Sequence, residues 1–288
     1  MIEASIDQRS TGETMKDFRN KNVYIVGGSS GIGLAAARLL FEHGADLTIF
    51  SRDKQKLARA AKAISAQRTS TGQTVAWMQL DVADRSAVER VLDTSVLRHG
   101  VPDILINCAG RAYPHYFENI SFDQFDETMH INFYGMWHTT KKLVPAMKER
   151  GGYIVNVSSI AGLVGVYGLT DYSASKFAIM GFSEALRSEL KPFGIMVSVL
   201  CPPDTDTPAL EVENRTKPKE TRAISENAGL MQPEDVAKAL VKGMQKKNPV
   251  ITPGLEGKMT CLAKRWVPIL VERMIDRTVR RVQKNGRG

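Results

Sequence analysis

The chain has 288 residues, 43% hydrophobic and 24% charged, with a net charge of +8 and a pI near 9.4. This globular composition is large enough to bury a substantial core, which excludes a disordered or fibrous chain and favours one large α/β domain over two small ones. No apolar run reaches the roughly 18 residues of a spanning helix, and no apolar signal-peptide core precedes the first strand, so a cytoplasmic protein is expected.

Residues 1–20 are polar and read as a flexible tail. Val23-Tyr24-Ile25-Val26 is an apolar run ending in glycines, a buried strand. Residues 34–43 are Ala- and Leu-rich and stop at Gly44, a helix with a glycine C-cap. Strand follows at 47–50, helix to 66, strand at 75–80, helix at 86–98 and strand at 104–106. A long helix is expected over 122–150, bent near Pro145. Strand at 153–157, helix at 172–192 and strand at 196–200 complete the series. Strand and helix alternating at this spacing predict a doubly wound parallel sheet with both faces covered, one domain over 21–255.

Three cysteines, Cys108, Cys201 and Cys261, form no Cys-x-x-Cys pair, and two lie in apolar, strand-like runs. They read as buried thiols in a reducing compartment. No Cys, His or Asp cluster has metal-ligand spacing, so no metal is expected. His130 and His138 read as structural.

The first strand runs into Gly27-Gly28-Ser29-Ser30-Gly31-Ile32-Gly33. Glycine permits the tight turn and a close phosphate, and the following helix offers free N–H groups and a positive dipole end. A glycine-rich loop between a strand and a helix is the Rossmann-type context of a dinucleotide site. At the end of the second strand, where an NAD site carries an acid, stand Ser51 and Arg52, with Asp53 one step further. Arg52 can fork onto a 2′-phosphate, with Lys56, Ser29 and Ser30 as further donors, which favours NADPH/NADP+. The alternative is that Arg52 only caps a solvated loop.

In 172–176, Tyr172-Ser173-Ala174-Ser175-Lys176, the tyrosine and lysine share one helical face a turn apart. A phenol with an ordinary pKa of about 10 needs tuning to exchange a proton near neutral pH, and a neighbouring ammonium lowers it. Ser159, at a strand end, can reach the same point and hydrogen-bond a substrate oxygen.

Together these residues resemble the short-chain dehydrogenase/reductase family over about 22–255. Asp81-Val82, Asn107-Cys108-Ala109-Gly110, Asn132, Ser159, Tyr172, Lys176 and Pro202-Pro203 match its pattern. The chain departs from it at Val26, where threonine is usual, and at Pro203, where glycine is usual. The resemblance implies cofactor binding by Gly27, Ser29, Ser30, Gly31, Ile32, Gly33, Arg52, Lys56, Asp81, Val82, Asn107, Tyr172, Lys176 and Pro202. It implies catalysis by Asn132, Ser159, Tyr172 and Lys176. Tyr172 donates the proton, Ser159 polarises the ketone, Lys176 bonds the nicotinamide ribose and lowers the Tyr172 pKa, and Asn132 holds a water behind Lys176. It also implies a homodimer or homotetramer through the helices of Asn132 and Tyr172, where Phe133, Trp137, Phe177, Ile179, Met180 and Phe182 lie.

A narrower similarity spans 201–226: Cys-Pro-Pro-Asp-Thr-Asp-Thr-Pro, then Glu213-Asn214-Arg215-Thr216-Lys217-Pro218, Glu220-Thr221-Arg222 and Ile224-Ser225-Glu226. It resembles the 3-ketodihydrosphingosine reductases, a family that reduces a long-chain keto substrate with NADPH, and places a substrate lid at about 204–232. The alternatives are reduction of a 3-oxoacyl, steroid or retinoid carbonyl, or a non-enzymatic NADP(H)-sensing or scaffold protein. Ser159, Tyr172 and Lys176 together disfavour the last.

From Lys258 onward nine basic residues face two acidic ones, a surplus of seven in a chain of net +8. Interleaved Leu262, Trp266, Ile269, Leu270, Val271, Met274, Ile275, Val279 and Val282 make 256–288 a basic amphipathic helical extension broken near Pro268. It reads either as a peripheral membrane contact through 258–288 or as a helix packed on the fold. No nucleic-acid-binding fold accompanies the charge, so nucleic acid is not an expected partner.

Overall fold

The computed structural model describes residues 17–227 and 229–285. Seven strands form one parallel sheet in the order β3-β2-β1-β4-β5-β6-β7. They are β1 (Asn22–Val26), β2 (Asp46–Ser51), β3 (Val75–Gln79), β4 (Ile104–Asn107), β5 (Gly152–Val157), β6 (Ile195–Leu200) and β7 (Val250–Ile251). Between them run α1 (Gly31–Glu42), α2 (Lys54–Ser65), α3 (Arg85–His99), α4 (Phe122–Met129), α5 (Gly135–Met147), α6 (Thr170–Leu190), α7 (Pro208–Thr216), α8 (Lys219–Asn227) and α9 (Pro233–Gln245). After β7 come α10 (Gly254–Trp266) and α11 (Pro268–Asn285).

The strands are apolar on both sides because both sides are covered. In β1, Val23 and Ile25 join the cluster under α1, α2 and α9, while Tyr24 and Val26 join the cluster under α3, α5 and α6. That is the two-residue period of a pleated strand. The order reverses between β1 and β4, which opens a crevice at the carboxyl ends of the strands.

Three expectations change. The sheet has a seventh strand, only two residues long, fed by α9, which packs on α1. The tail prediction for 1–20 falls largely outside the described residues, but Phe18 is fully buried and meets the His43 ring edge-on at 6.1 Å, so the fold begins before the first strand. The long helix carries Pro145 inside α5. It is interrupted at His130–Tyr134 by a wider π-type turn, and the second half starts afresh at Gly135. The cause is Asn132, whose side chain bonds a different part of the chain.

The C-terminal extension does break at Pro268. Lys264 Nζ meets Glu272 Oε1 at 2.8 Å and ties α10 to α11. Val271 is buried and α11 packs on α8, while Leu262, Trp266, Ile269, Leu270 and Met274 stay exposed, Trp266 by 76%. The segment is thus packed on the fold along one stripe and apolar on its outer side. No helix among the described residues is long and apolar enough to cross a membrane.

Candidate active site

The crevice is a cavity of about 520 Å³. At one end lie Gly27, Ser29, Ser30, Gly31 and Ile32 with Arg52, Lys56, Asp81 and Val82. At the other lie Ser159, Tyr172, Lys176 and Pro202 under a lid containing α7. Gly33, Asn107 and Asn132 lie behind this wall.

The glycine loop is built for a close ligand. Gly27 has φ +87°, and a Cβ there would stand 2.7 Å from the Ala109 amide nitrogen. Gly33 has no room for a Cβ against the Gly27 carbonyl, so it packs α1 onto the loop. Ser30 precedes α1 with no side-chain cap, and no acid occupies the first turn, which leaves the N-terminal N–H groups of α1 to an anion. This bare backbone cradle fits the pyrophosphate of a nicotinamide dinucleotide. Ser29 Oγ donates to Ser51 Oγ at 2.9 Å, and Asp53 caps α2 by accepting from Lys56 N at 2.9 Å. The Arg52 guanidinium is exposed at the cavity rim and makes no ion pair among the described residues.

Asn107 does not reach the cavity. Its side chain donates to Thr140 Oγ1 at 3.1 Å and Asn156 Oδ1 at 2.9 Å, and accepts from Thr139 Oγ1 at 2.7 Å. It latches β4 to β5 and α5.

Asn132 is a hub. Its Oδ1 accepts from Arg111 N at 2.8 Å, and its Nδ2 donates to Arg111 O at 2.9 Å and to Ser175 Oγ at 3.0 Å. Ser175 Oγ donates in turn to Tyr172 O at 2.7 Å. The loop after β4, the interrupted helix and α6 are thereby joined behind the catalytic face.

Lys176 is 4% exposed; its Nζ donates to Val157 O at 3.0 Å and lies 5.4 Å from the Tyr172 ring centroid. Burial lowers its pKa to about 8. The Tyr172 phenol is held well above its ordinary range, by burial first and the Glu213 carboxylate second, against a lowering hydrogen bond with Ser159. In the cofactor-free site desolvation and Glu213 thus dominate the phenol's shift.

Residues with no site role legible in the sequence also line the cavity. Asp204, Glu213 and Lys217 come from the lid, and Val271, Met274 and Ile275 from α11. A Glu and a Lys four apart look like an exposed helix pair; only the folding of the lid over the crevice brings them inside.

The profile of the family described as short chain dehydrogenase matches residues 21–218. The chain belongs to that family, and it is an oxidoreductase with a cradle for a nicotinamide cofactor. Within the family, it is 43% identical over 240 residues to a 3-dehydrosphinganine reductase of Danio rerio and 42% identical over 240 residues to a 3-ketodihydrosphingosine reductase of Mus musculus, in each case over 83% of this chain and 72% of the relative. A putative oxidoreductase, SadH, of Mycobacterium tuberculosis is 33% identical over 91% of this chain and 96% of its own. Among solved structures, the apo form of LigD from Sphingobium sp. strain SYK-6 superposes with a TM-score of 0.73 at 27% identity, covering 88% of this chain and 97% of LigD. A Burkholderia phymatum short chain dehydrogenase/reductase in complex with NAD gives 0.78 at 24% identity, over 89% and 96%, a likeness of fold.

Proposed function

We propose that this protein reduces the ketone of a long-chain sphingoid base, 3-ketodihydrosphingosine, with NADPH. The observation that carries the reading is one continuous cavity. It runs from the glycine cradle and Arg52, past Ser159, Tyr172 and Lys176, to an apolar far end of Val164, Leu210, Val271, Met274 and Ile275 suited to an alkyl chain. Relatives bearing that activity in their names, at more than 40% identity, support the same substrate.

NADPH, when bound, supplies the hydride. The chain's own residues do the rest. The α1 N-terminus and glycine loop hold the pyrophosphate, and Arg52 with Lys56 holds the 2′-phosphate. Ser159 donates to the ketone oxygen and fixes the carbonyl. Tyr172 gives its proton to the oxygen as negative charge develops there. A raised phenol pKa keeps that proton in place until the alkoxide forms. Lys176 orients the ribose and links Tyr172 toward Asn132.

NADPH oxidation with a panel of ketones tests the reading. Turnover is expected with 3-ketodihydrosphingosine. Turnover only with 3-oxoacyl, steroid or retinoid ketones would overturn it. Exposed Phe125 on α4, Tyr134 in the π-type turn, Trp137 on α5 and Phe177 on α6 support a homodimer or homotetramer through that face. A strictly monomeric species by light scattering would remove it. Ile179 is buried in the core and takes no part.

A further inference from the structure

The lid brings three charged side chains into the cavity, and two of them satisfy each other. Lys217 Nζ lies 3.1 Å from Asp204 Oδ2, reaches Ser225 Oγ at 3.4 Å and is almost wholly buried. Glu213 is left over. It lines the same cavity as Tyr172 and Lys176, yet among the described residues it forms no ion pair and its carboxylate accepts no hydrogen bond. Lys217 and Lys176 act on it only through space. Burial, then repulsion by Asp204, pushes its carboxyl up to about 7. Glu213 is half-buried, and a carboxylate held there without a partner is costly, a cost that a cation arriving with the ligand offsets.

A sphingoid base carries an amine on the carbon next to its ketone. With the ketone oxygen at Ser159 and Tyr172, that amine must sit within two bonds of the reacting carbon. Glu213 lines the same cavity as Ser159, Tyr172 and Lys176, and its charge acts through space on the last two. Resting on the sphingoid-base reading, we infer that Glu213 receives the substrate ammonium and makes the enzyme selective for 2-amino ketones over ketones that lack the amine. The apolar end of the cavity selects the chain; Glu213 selects the head.

The test compares two substrates on the full-length enzyme with NADPH: 3-ketodihydrosphingosine and the hydroxyketone of the same length without the amine. Wild type is expected to favour the amine by about 10- to 100-fold in kcat/KM, the worth of a hydrogen bond between charged groups. Glu213→Gln is expected to erase the preference by lowering kcat/KM for the amine substrate about 10- to 100-fold more than for the other, and Glu213→Asp to keep part of it. The substrate without the amine also reports whether each variant is folded. An equal loss on both ketones would mean that Glu213 acts on the cofactor or on Tyr172, and overturns the assignment. So does a wild type that treats the two ketones alike, which needs no variant at all. A wild type that reduces neither ketone fails the sphingoid-base reading itself, a separate result that takes this assignment with it.

Discussion

Glu213→Gln should make the enzyme more stable, and by an amount that grows with pH. Burial holds the Glu213 pKa at about 7 against 4.5 for the free group. Between those values the folded chain binds this proton and the unfolded chain does not. The group's contribution is therefore complete below pH 4.5 and lost as pH climbs through about 7. At 1.36 kcal/mol per pKa unit the whole gap is at most about 3.4 kcal/mol, and about 2 kcal/mol of it falls between about pH 5 and about pH 7. Of the charged groups facing Glu213, Asp204 is paired with Lys217, and Lys176 titrates at about 8, above that window. Glutamine carries no such proton. Urea unfolding of the cofactor-free protein, wild type against variant, should show the stability difference widening by about 2 kcal/mol over the interval. Parallel curves would refute the account of Glu213 as a desolvated, unpaired carboxyl.

Tyr172→Phe keeps the ring and removes the proton, so turnover should fall by about 10²–10⁴ with NADPH binding nearly unchanged; a variant retaining more than about a tenth of the rate would sink the role given to Tyr172. Arg52→Ala should weaken NADPH by about 10- to 100-fold, the size of a charged hydrogen bond, and leave NADH almost unaffected. Equal losses would show that Arg52 does not read the 2′-phosphate. Trp266, exposed at the turn between α10 and α11 among basic residues, should help seat the extension on anionic vesicles. Co-sedimentation should drop for Trp266→Glu, and a wild type that stays in the supernatant at low salt would rule out the membrane contact.

The sheet was legible because its strands are apolar on both faces and spaced by amphipathic helices, a pattern set by burial alone. The glycine loop was legible because its backbone conformation restricts the residue type. Tyr172 and Lys176 were legible because one helical turn fixes their relation. The rest depended on contacts distant in sequence. Phe18 looks like one apolar residue in a polar tail until it meets His43 and the core. β7 is too short to show a period. Pro145 drew the expectation to itself because proline is the usual cause of a bend, but the helical pattern runs through it in α5. The break belongs to Asn132, whose partner Arg111 is 21 positions away. Asn107 stands at the end of β4, and its latch to Thr139, Thr140 and Asn156 joins residues too distant in sequence to be read from a pattern.

The packing of α11 against α8 ties the tail to the lid. On its other sides α8 is pinned by Tyr116, whose hydroxyl donates to Glu220 Oε2 at 3.1 Å, and by Thr221, whose hydroxyl donates to Tyr167 O at 2.7 Å. A lid held this way does not swing as a free flap. To open, it must part from the loops around Tyr116 and Tyr167 or carry α11 outward with it. A force on the exposed side of α10 and α11 is therefore passed through α8 to the cavity mouth.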